Sequence, residues 1–254
     1  MCLVPLLLLA AAPQRVASLN LCADELALLL TPRTHLASVS FLGADPKETT
    51  LAAKAVGLPT NSGRMESVAA LRPDLVLTGG GANRYASEMA ARLGARVVDV
   101  PPPQSLADLE RNVRTVAEAV GQSNEGTRII ASVRASLGPV PEQRRSAILL
   151  SGGGYTVRTN GLSATLLRHA GLEQQAFPSE RVAMERLLAN PPAVIVVTDY
   201  RTAQASRHQA WLAHPALRRL PQTTRVVHID GRAWTCLGPP VAAEVAKLRA
   251  RLAK

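Results

Sequence analysis

The fold is decided by residues 65–78, which read Met-Glu-Ser-Val-Ala-Ala-Leu-Arg-Pro-Asp-Leu-Val-Leu-Thr. A similar stretch follows 119 positions later without a gap, as residues 184–197, which read Met-Glu-Arg-Leu-Leu-Ala-Asn-Pro-Pro-Ala-Val-Ile-Val-Val. Each copy predicts a short helix with a glutamate near its start, a proline turn and a buried strand. Coincidence between two common helix–proline–strand units is the alternative to a true internal repeat.

Short apolar segments alternate with helical segments on both sides of this repeat. Such alternation predicts an α/β protein with a mainly parallel sheet in each half of the chain. Strands are predicted at 15–19, 36–40, 75–78, 96–100, 147–150, 194–197 and 225–229. Helices are predicted at 24–30, 46–56, 84–93, 163–169, 203–212 and 240–252, with a loop at 41–45. Each half also has a strand that ends in a glycine triplet, which favours a true repeat.

The α/β pattern is interrupted between residues 105 and 143. Apolar residues recur there at helical spacing, with Ser105 as the predicted N-cap and Asp108 three residues later. A second helix is predicted at 124–137, and no strand interrupts the stretch. We therefore predict an N-terminal lobe at 14–104, a helical connector at 105–143 and a C-terminal lobe at 144–254. Two such lobes create a cleft, and loops at the carboxyl ends of their strands would form a ligand site.

The first 13 residues are almost purely apolar and include three consecutive alanines, Ala10 to Ala12. They are too short to span a bilayer and resemble the hydrophobic region of a secretory signal, although no positive charge precedes them. A buried N-terminal strand is the alternative. Removal of a signal would leave Cys22 and Cys236, an even number in an oxidising compartment. They form either a disulfide or two unpaired buried thiols.

The chain is basic, with 29 Lys and Arg against 19 Asp and Glu and a net charge of +10. The arginines are scattered without a basic block, and aromatic residues make up only 3%, which leaves few side chains for base stacking. We therefore predict no nucleic-acid partner. A basic cleft that attracts an anionic solute accounts better for the charge.

Four segments together resemble the periplasmic binding proteins of the iron–siderophore and vitamin B12 type. They are residues 15–20, the unit 65–78, the tripeptide 153–155 and the segment 234–239. The resemblance implies two Rossmann-like lobes with a shallow cleft and little hinge motion. It also implies a monomeric periplasmic receptor that delivers a solute to an ABC permease dimer, without catalysis and without a cofactor.

In that family one surface glutamate on each lobe docks onto arginines of the permease. Glu66 and Glu185 occupy the matching positions of the repeat, so the resemblance implies that they dock onto the permease dimer. The alternative for either residue alone is a helix N-terminal charge, which stabilises a helix by about 0.3–1 kcal/mol.

The predicted cleft loops contain arginines that would bind an anionic metal chelate, such as a ferric siderophore, and aromatic residues that would stack against a flat ligand. Each arginine alone is also consistent with a solvated surface position, and the aromatic residues with the edge of the core. Cobalamin is an alternative ligand, and so is haem, with tyrosine as an axial ligand. The predicted ligand-binding residues are Asn20, Cys22, Phe41, Arg64, Arg84, Tyr155, Arg158, Tyr200, Arg201, Arg232 and Trp234.

Two other classes of function fit the sequence less well. The five histidines show no paired spacing, so we predict no site for a bare metal ion. The glycine triplets at 79–81 and 152–154 follow strands, as in a nucleotide-binding enzyme, but they match neither the dinucleotide motif nor the P-loop. No Gly-x-Ser-x-Gly nucleophile motif is present either.

Overall fold

The computed structural model describes residues 12–80, 84–199, 211 and 214–253. The first five strands are β1 (Val16–Ser18), β2 (Leu36–Ser40), β3 (Thr60–Asn61), β4 (Leu75–Thr78) and β5 (Arg96–Asp99). They form one sheet in the order β3-β2-β1-β4-β5. The strands β6 (Arg145–Leu150), β7 (Leu172–Gln174), β8 (Val194–Asp199) and β9 (Arg225–Asp230) form a second sheet in the order β7-β6-β8-β9. Neighbouring strands are parallel throughout, which confirms the predicted α/β class.

Helices surround both sheets. Those of the first half are α1 (Leu21–Leu30), α2 (Phe41–Ala44), α3 (Ala52–Ala55), α4 (Glu66–Ala69) and α5 (Arg84–Arg92). Two long helices, α6 (Leu106–Ala119) and α7 (Ser123–Leu137), separate the sheets along the chain. The second half contains α8 (Leu162–His169), α9 (Met184–Ala189), α10 (Gly231–Cys236) and α11 (Val241–Leu252). Among the described residues, no helix is long and apolar enough to cross a membrane.

The internal repeat corresponds to a repeated topology. The order β2-β1-β4-β5 in the first sheet matches β7-β6-β8-β9 in the second. Helix α4 leads into β4 and helix α9 leads into β8, and the first residues of those strands, Leu75 and Val194, are still 119 positions apart. The repeat is therefore structural, and each half of the chain is one α/β lobe.

One continuous core runs through both lobes. Leu75 and Leu77 of β4 share this core with Val194 and Val196 of β8, and with buried residues of α6 and α7. The alternate residues of the two strands, such as Val76, face smaller clusters that belong to one lobe each. Strands covered on both faces need apolar residues at every position, which explains why β4 and β8 lack polar alternation.

The connector helices α6 and α7 are packed rather than free. Glu110 of α6 forms a two-bond ion pair with Arg134 of α7, with both N–O distances at 2.6 Å. A methyl group on Gly126 would lie 2.6 Å from the Cβ of Ala117, so the glycine permits this close helix approach. Ser105 accepts a hydrogen bond from the Asp108 amide at 3.1 Å, as predicted for the N-cap. Helix α6 contacts α1 and helix α7 contacts α11, which ties the connector to both lobes.

Three local predictions differ from the structure. Residues 41–44 form helix α2 rather than a loop, because Ser40 caps them by accepting a hydrogen bond from the Gly43 amide at 3.4 Å. The helix predicted at 46–56 is reduced to α3. Side chains of Asp45 and Thr49 accept hydrogen bonds from backbone amides two residues later, and these local turns compete with a helix. Helix α10, capped by Asp230, occupies most of the segment 232–237, which was predicted as one of the cleft loops.

Some predictions fall outside the described residues. The signal-like segment at 1–13 does so except for its last two residues, and the helix predicted at 203–212 does so except for Trp211. Tyr200 and Arg201 of the predicted ligand site also lie outside the described residues.

Candidate functional site

The carboxyl ends of the strands in the two sheets face each other. Cys22, which follows β1, is bonded to Cys236, which follows β9, with an S–S distance of 2.15 Å and a Cα–Cα distance of 5.2 Å. The Nη1 of Arg232 donates to the carbonyl oxygen of Pro46, in the segment after β2, at 2.6 Å. Parallel strands place their carboxyl ends at one edge of a sheet, so these contacts orient both edges toward a common space.

The two cysteines are therefore paired, which decides between the alternatives that the sequence left open. The bond joins α1 in the N-terminal lobe to the end of α10 in the C-terminal lobe. The sulfur of Cys22 is occupied by this bond, so it does not offer a thiolate to a ligand. Cys22, which was predicted as a ligand-binding residue, lies beside the cleft and has a structural role there as half of the disulfide.

Arg232 is also engaged in holding the lobes together. Its Nε and Nη2 donate to the carboxylate of Asp230 at 2.9 and 2.5 Å, while Nη1 reaches Pro46 in the other lobe. The hydrogen bond from Arg232 lowers the pKa of Asp230, so the pair remains ionised. The guanidinium of Arg232 directs its hydrogen bonds to other groups of the protein. We therefore exclude Arg232 from the arginines that could bind an anionic ligand.

Trp234 belongs to the core rather than to the cleft surface. Its side chain is 7% exposed and packs in the core shared by both lobes. Asn20 has a positioning role, since it caps α1 by accepting a hydrogen bond from the Cys22 amide at 2.9 Å. A methyl group on Gly79 would lie 2.1 Å from the Asn20 Oδ1, so this glycine after β4 allows the cap to form.

Replacing Gly79 with alanine is expected to destabilise the protein by about 1–3 kcal/mol, because the added methyl displaces the α1 cap. Urea unfolding followed by circular dichroism measures the change. Gly161→Ala is the matched control, since no described atom lies within 4 Å of the added methyl at that position. Equal unfolding midpoints for the two variants would refute the assigned contact.

Two predicted aromatic residues are exposed at the carboxyl edges, one on each lobe. Phe41 begins α2 directly after β2 and is 56% exposed. Tyr155 lies after β6 and is 44% exposed, and the Cζ of Arg181 lies 5.9 Å from the centroid of its ring. The backbone of Tyr155 forms bridges to Ser151 and Arg181, which fix the ring at the edge of the second sheet.

A glycine turn presents Tyr155. Gly153 and Gly154 have φ values of 80° and 74°, in the left-handed region that favours glycine. A methyl group on Gly154 would also lie 2.4 Å from the ring of Trp211. The glycines of the Gly-Gly-Tyr tripeptide are thus required by backbone conformation and by a close aromatic neighbour. Their effect is to turn the chain so that Tyr155 lies at the surface.

Three other predicted arginines lie on both lobes. Arg64 is exposed just before α4, and Arg84 begins α5. Arg158 is exposed and pairs with Glu180 at 2.7 Å. Arg158 and Glu180 line an open pocket of about 310 Å³ between the loops that follow β6 and β7, together with Phe177 and Ser179. Arg181, beside this pocket, was not predicted from the sequence, because nothing local distinguishes it from other surface arginines.

Two buried acids in α1 were not identified as special from the sequence. Asp24 accepts hydrogen bonds from the amide of Ser40 at 3.0 Å and from its hydroxyl, and burial raises the pKa of Asp24 to about 6. Glu25 is 1% exposed, and neither carboxyl oxygen has a hydrogen-bond partner among the described residues. Burial, followed by repulsion from Asp24, raises the pKa of Glu25 to about 8. The signal for these buried acids in the sequence was the presence of two consecutive acidic residues inside an otherwise apolar helix.

Glu66 and Glu185 are exposed at equivalent places on the two lobes. Glu66 is the first residue of α4, and Glu185 is the second residue of α9. Both helices follow a loop from the carboxyl end of a strand and lead back to the amino end of the next strand. Their N-terminal ends, with the two glutamates, therefore lie on the same side of the molecule as the cleft.

Within the described part of the chain, no group of three or more His, Cys, Asp or Glu residues could hold a metal ion.

Comparison with known proteins agrees with this architecture. The family model described as periplasmic binding protein matches residues 16–233. No curated protein matches the chain in sequence. The crystal structure of the periplasmic haem-binding protein HutB of Vibrio cholerae is 18% identical, with a TM-score of 0.77, over 95% of this chain and 99% of that chain.

Two further structures are similar in fold. A periplasmic haem-binding protein from Pseudomonas aeruginosa is 22% identical, with a TM-score of 0.72, over 94% of this chain and 92% of that chain. The vitamin B12-binding protein BtuF of Vibrio cholerae is 16% identical, with a TM-score of 0.63, over 95% of this chain and 97% of that chain. At these identities the similarity establishes the fold, and the family match extends across both lobes. The chain belongs to the periplasmic binding protein family, with the two-lobed architecture of its haem, vitamin B12 and iron receptors.

Proposed function

We propose that this chain is the exported receptor of an ABC importer, which captures an anionic metal chelate between its lobes and delivers it to the permease. The proposal rests on one observation. The carboxyl edges of the two sheets face each other, and exposed aromatic and basic residues of both lobes lie along these edges. Receptors of this family bind solutes and do not transform them, so we assign no catalytic residue and no cofactor.

The ligand class follows from the side chains at the two edges. Phe41 and Tyr155 provide flat apolar faces on opposite lobes, while Arg64, Arg158 and Arg181 provide positive charge. Flat aromatic surfaces with guanidinium groups nearby favour an extended, anionic ligand that carries its own metal. A ferric siderophore with catecholate or carboxylate groups has this chemistry, and so does haem, with its planar ring and two carboxylates. The solved relatives from Pseudomonas aeruginosa and Vibrio cholerae that bind haem support the second candidate.

Cobalamin is the alternative ligand, supported by the fold of the vitamin B12-binding relative. It is large and largely uncharged, so the available arginines would contribute little to its affinity. A nucleotide-binding enzyme is less well supported. The turn at 152–154 leads into an extended Tyr155, with φ −75° and ψ 142°, rather than into the helix N-terminus that would bind a phosphate.

Ligand binding can be measured by quenching of tryptophan fluorescence and by thermal shift. The panel should contain a ferric catecholate siderophore, a ferric carboxylate siderophore, haem and cyanocobalamin. We expect saturable binding of at least one anionic iron chelate and none of cobalamin. Binding of cobalamin alone would identify the alternative ligand, and turnover of a nucleotide cofactor would refute the receptor assignment.

Replacing Tyr155 with alanine is expected to weaken binding of that chelate about 2- to 12-fold, because a stacked aromatic ring contributes about 0.5–1.5 kcal/mol beyond its buried area. Titration of the purified variant measures the dissociation constant. Val226→Ala removes an exposed apolar side chain from β9 and is the control. Unchanged affinity in Tyr155→Ala would remove this ring from the proposed site.

A further inference from the structure

Among the described residues, a disulfide and a hydrogen bond lie side by side at the junction between the lobes. The Cys22–Cys236 disulfide joins residues 214 positions apart in the chain. The hydrogen bond from Arg232 to Pro46 is the neighbouring polar contact between the lobes. The disulfide borders a small surface pocket of about 20 Å³, lined also by Leu26 and Pro239. Cys22 is half-buried whereas Cys236 is 6% exposed, so Cys22 is the more accessible cysteine.

A buried carboxyl opposes this junction. Glu25 of the N-terminal lobe directs its Oε2 at Gly238 of the C-terminal lobe, where a methyl group would lie only 2.6 Å away. Gly238 is two residues from Cys236, and Glu25 is three residues from Cys22. A carboxyl that is almost fully buried and accepts no hydrogen bond from the described residues loses the solvation that water would give it. Separation of the lobes at this point would hydrate Glu25, so the carboxyl favours opening.

We propose that the Cys22–Cys236 disulfide holds the lobe junction closed against the buried Glu25 carboxyl, and that reduction by an external dithiol opens the junction. The disulfide and the carboxyl lie within one turn of α1 and act on the same short segment of the C-terminal lobe. The disulfide favours the closed junction and the carboxyl favours the open one. The junction is therefore closed when the disulfide is oxidised and open when it is reduced. This inference concerns the lobes themselves and does not require the proposed ligand.

The chemistry balances with a dithiol as the reductant. One thiolate of the dithiol attacks the sulfur of Cys22, the bond between Cys22 and Cys236 breaks, and Cys236 leaves as a thiolate that takes up a proton. The second thiol of the reductant then displaces Cys22, closes its own disulfide and releases the second cysteine. Two electrons and two protons are thereby transferred to the protein. Cys22 lies in the first turn of α1, where the helix N-terminus stabilises a departing thiolate.

Hydrogen–deuterium exchange of the ligand-free protein tests the proposal. Wild-type protein is measured with and without dithiothreitol, and thiol titration verifies that the bond is reduced. We expect reduction to accelerate exchange about tenfold or more in the peptides covering 21–30 and 231–241, while the central strand 75–78 keeps its protection. Cys22→Ser with Cys236→Ser is the matched control. It should show the fast exchange of the reduced protein under both conditions, with no response to the reductant.

The Glu25→Met variant tests whether the buried carboxyl drives the opening of the junction, or whether the disulfide only links two lobes that would stay closed without it. The apolar side chain removes the carboxyl, so we expect reduced Glu25→Met to keep slow exchange at 21–30 and 231–241. Unchanged exchange in reduced wild type would overturn the proposal, and so would equal acceleration in wild type and Glu25→Met. Far-ultraviolet circular dichroism verifies that each protein is folded. If the double serine variant does not fold, the comparison of wild type with Glu25→Met still decides.

A second measurement connects the junction with the proposed function. Helices α1 and α10, which the bond holds together, follow β1 and β9 at the facing edges, so opening should weaken binding of the iron chelate found in the panel. This arm rests on the proposed receptor function and is read separately from the exchange data. If reduction accelerates exchange but no chelate binds, the proposed junction is supported and the receptor function is rejected. If a chelate binds but reduction leaves exchange unchanged, the receptor function is supported and the proposed junction is rejected.

Discussion

Replacement of both Glu66 and Glu185 with alanine is expected to lower uptake of the bound solute on the order of 100-fold, while the affinity of the purified receptor for that solute stays unchanged. Both glutamates are exposed at the start of equivalent helices, one on each lobe. In the proposed complex each carboxylate meets a cationic partner on one half of a two-fold symmetric permease. Loss of one partner from a desolvated charge pair costs about 2–5 kcal/mol.

The measurement is uptake of labelled solute by cells that carry the importer and either the wild-type or the variant receptor. Single replacements should each produce a partial loss, because one of the two contacts remains. The control replaces Glu118 and Glu142, which are exposed elsewhere on the molecule, and should keep full uptake. Lost solute affinity in the variant would show that these glutamates belong to the binding site. Normal uptake would show that the permease contacts another surface.

Wild-type protein is expected to lose about 2 kcal/mol of stability relative to Glu25→Gln as the pH rises from 6.5 to 8.5. Burial raises the pKa of Glu25 from 4.5 to about 8. Between those values the folded protein retains a proton that the unfolded chain has released, so the free energy of unfolding falls with rising pH. Above the folded pKa both states are ionised and the fall ends. Glutamine does not titrate, so the variant lacks this contribution.

Urea unfolding at several pH values from 6.5 to 9 measures the difference between the two proteins. Most of the titration of Asp24, whose pKa is about 6, lies below this range. Glu118→Gln, at an exposed position of α6, should show the same pH dependence as wild type. Parallel curves for wild type and Glu25→Gln would show that water or a structural change already satisfies this carboxyl.

Local features of the fold could be predicted because their causes are local in the sequence. Strands β2 and β4 begin and end where their apolar runs do, and α6 begins after the Ser105 cap that its sequence pattern indicates. The two-residue strand β3 and the three-residue strand β7 have no such signal, since pairing with longer neighbours stabilises them. The exposed positions of Phe41 and Tyr155 could be predicted because each follows a predicted strand.

The amino-acid sequence by itself determined the α/β class, the repeat of 119 residues, the division into two lobes and most of the longer strands and helices, because these depend on periodicity, caps and turns within a few residues. Only the tertiary structure decided that Cys22 bonds Cys236, that Arg232 reaches Pro46 and that Glu25 is buried against Gly238. Each of these contacts joins residues of different lobes. The distances between these residues depend on how the two sheets pack against their shared core. No pattern within a short stretch of sequence encodes that packing.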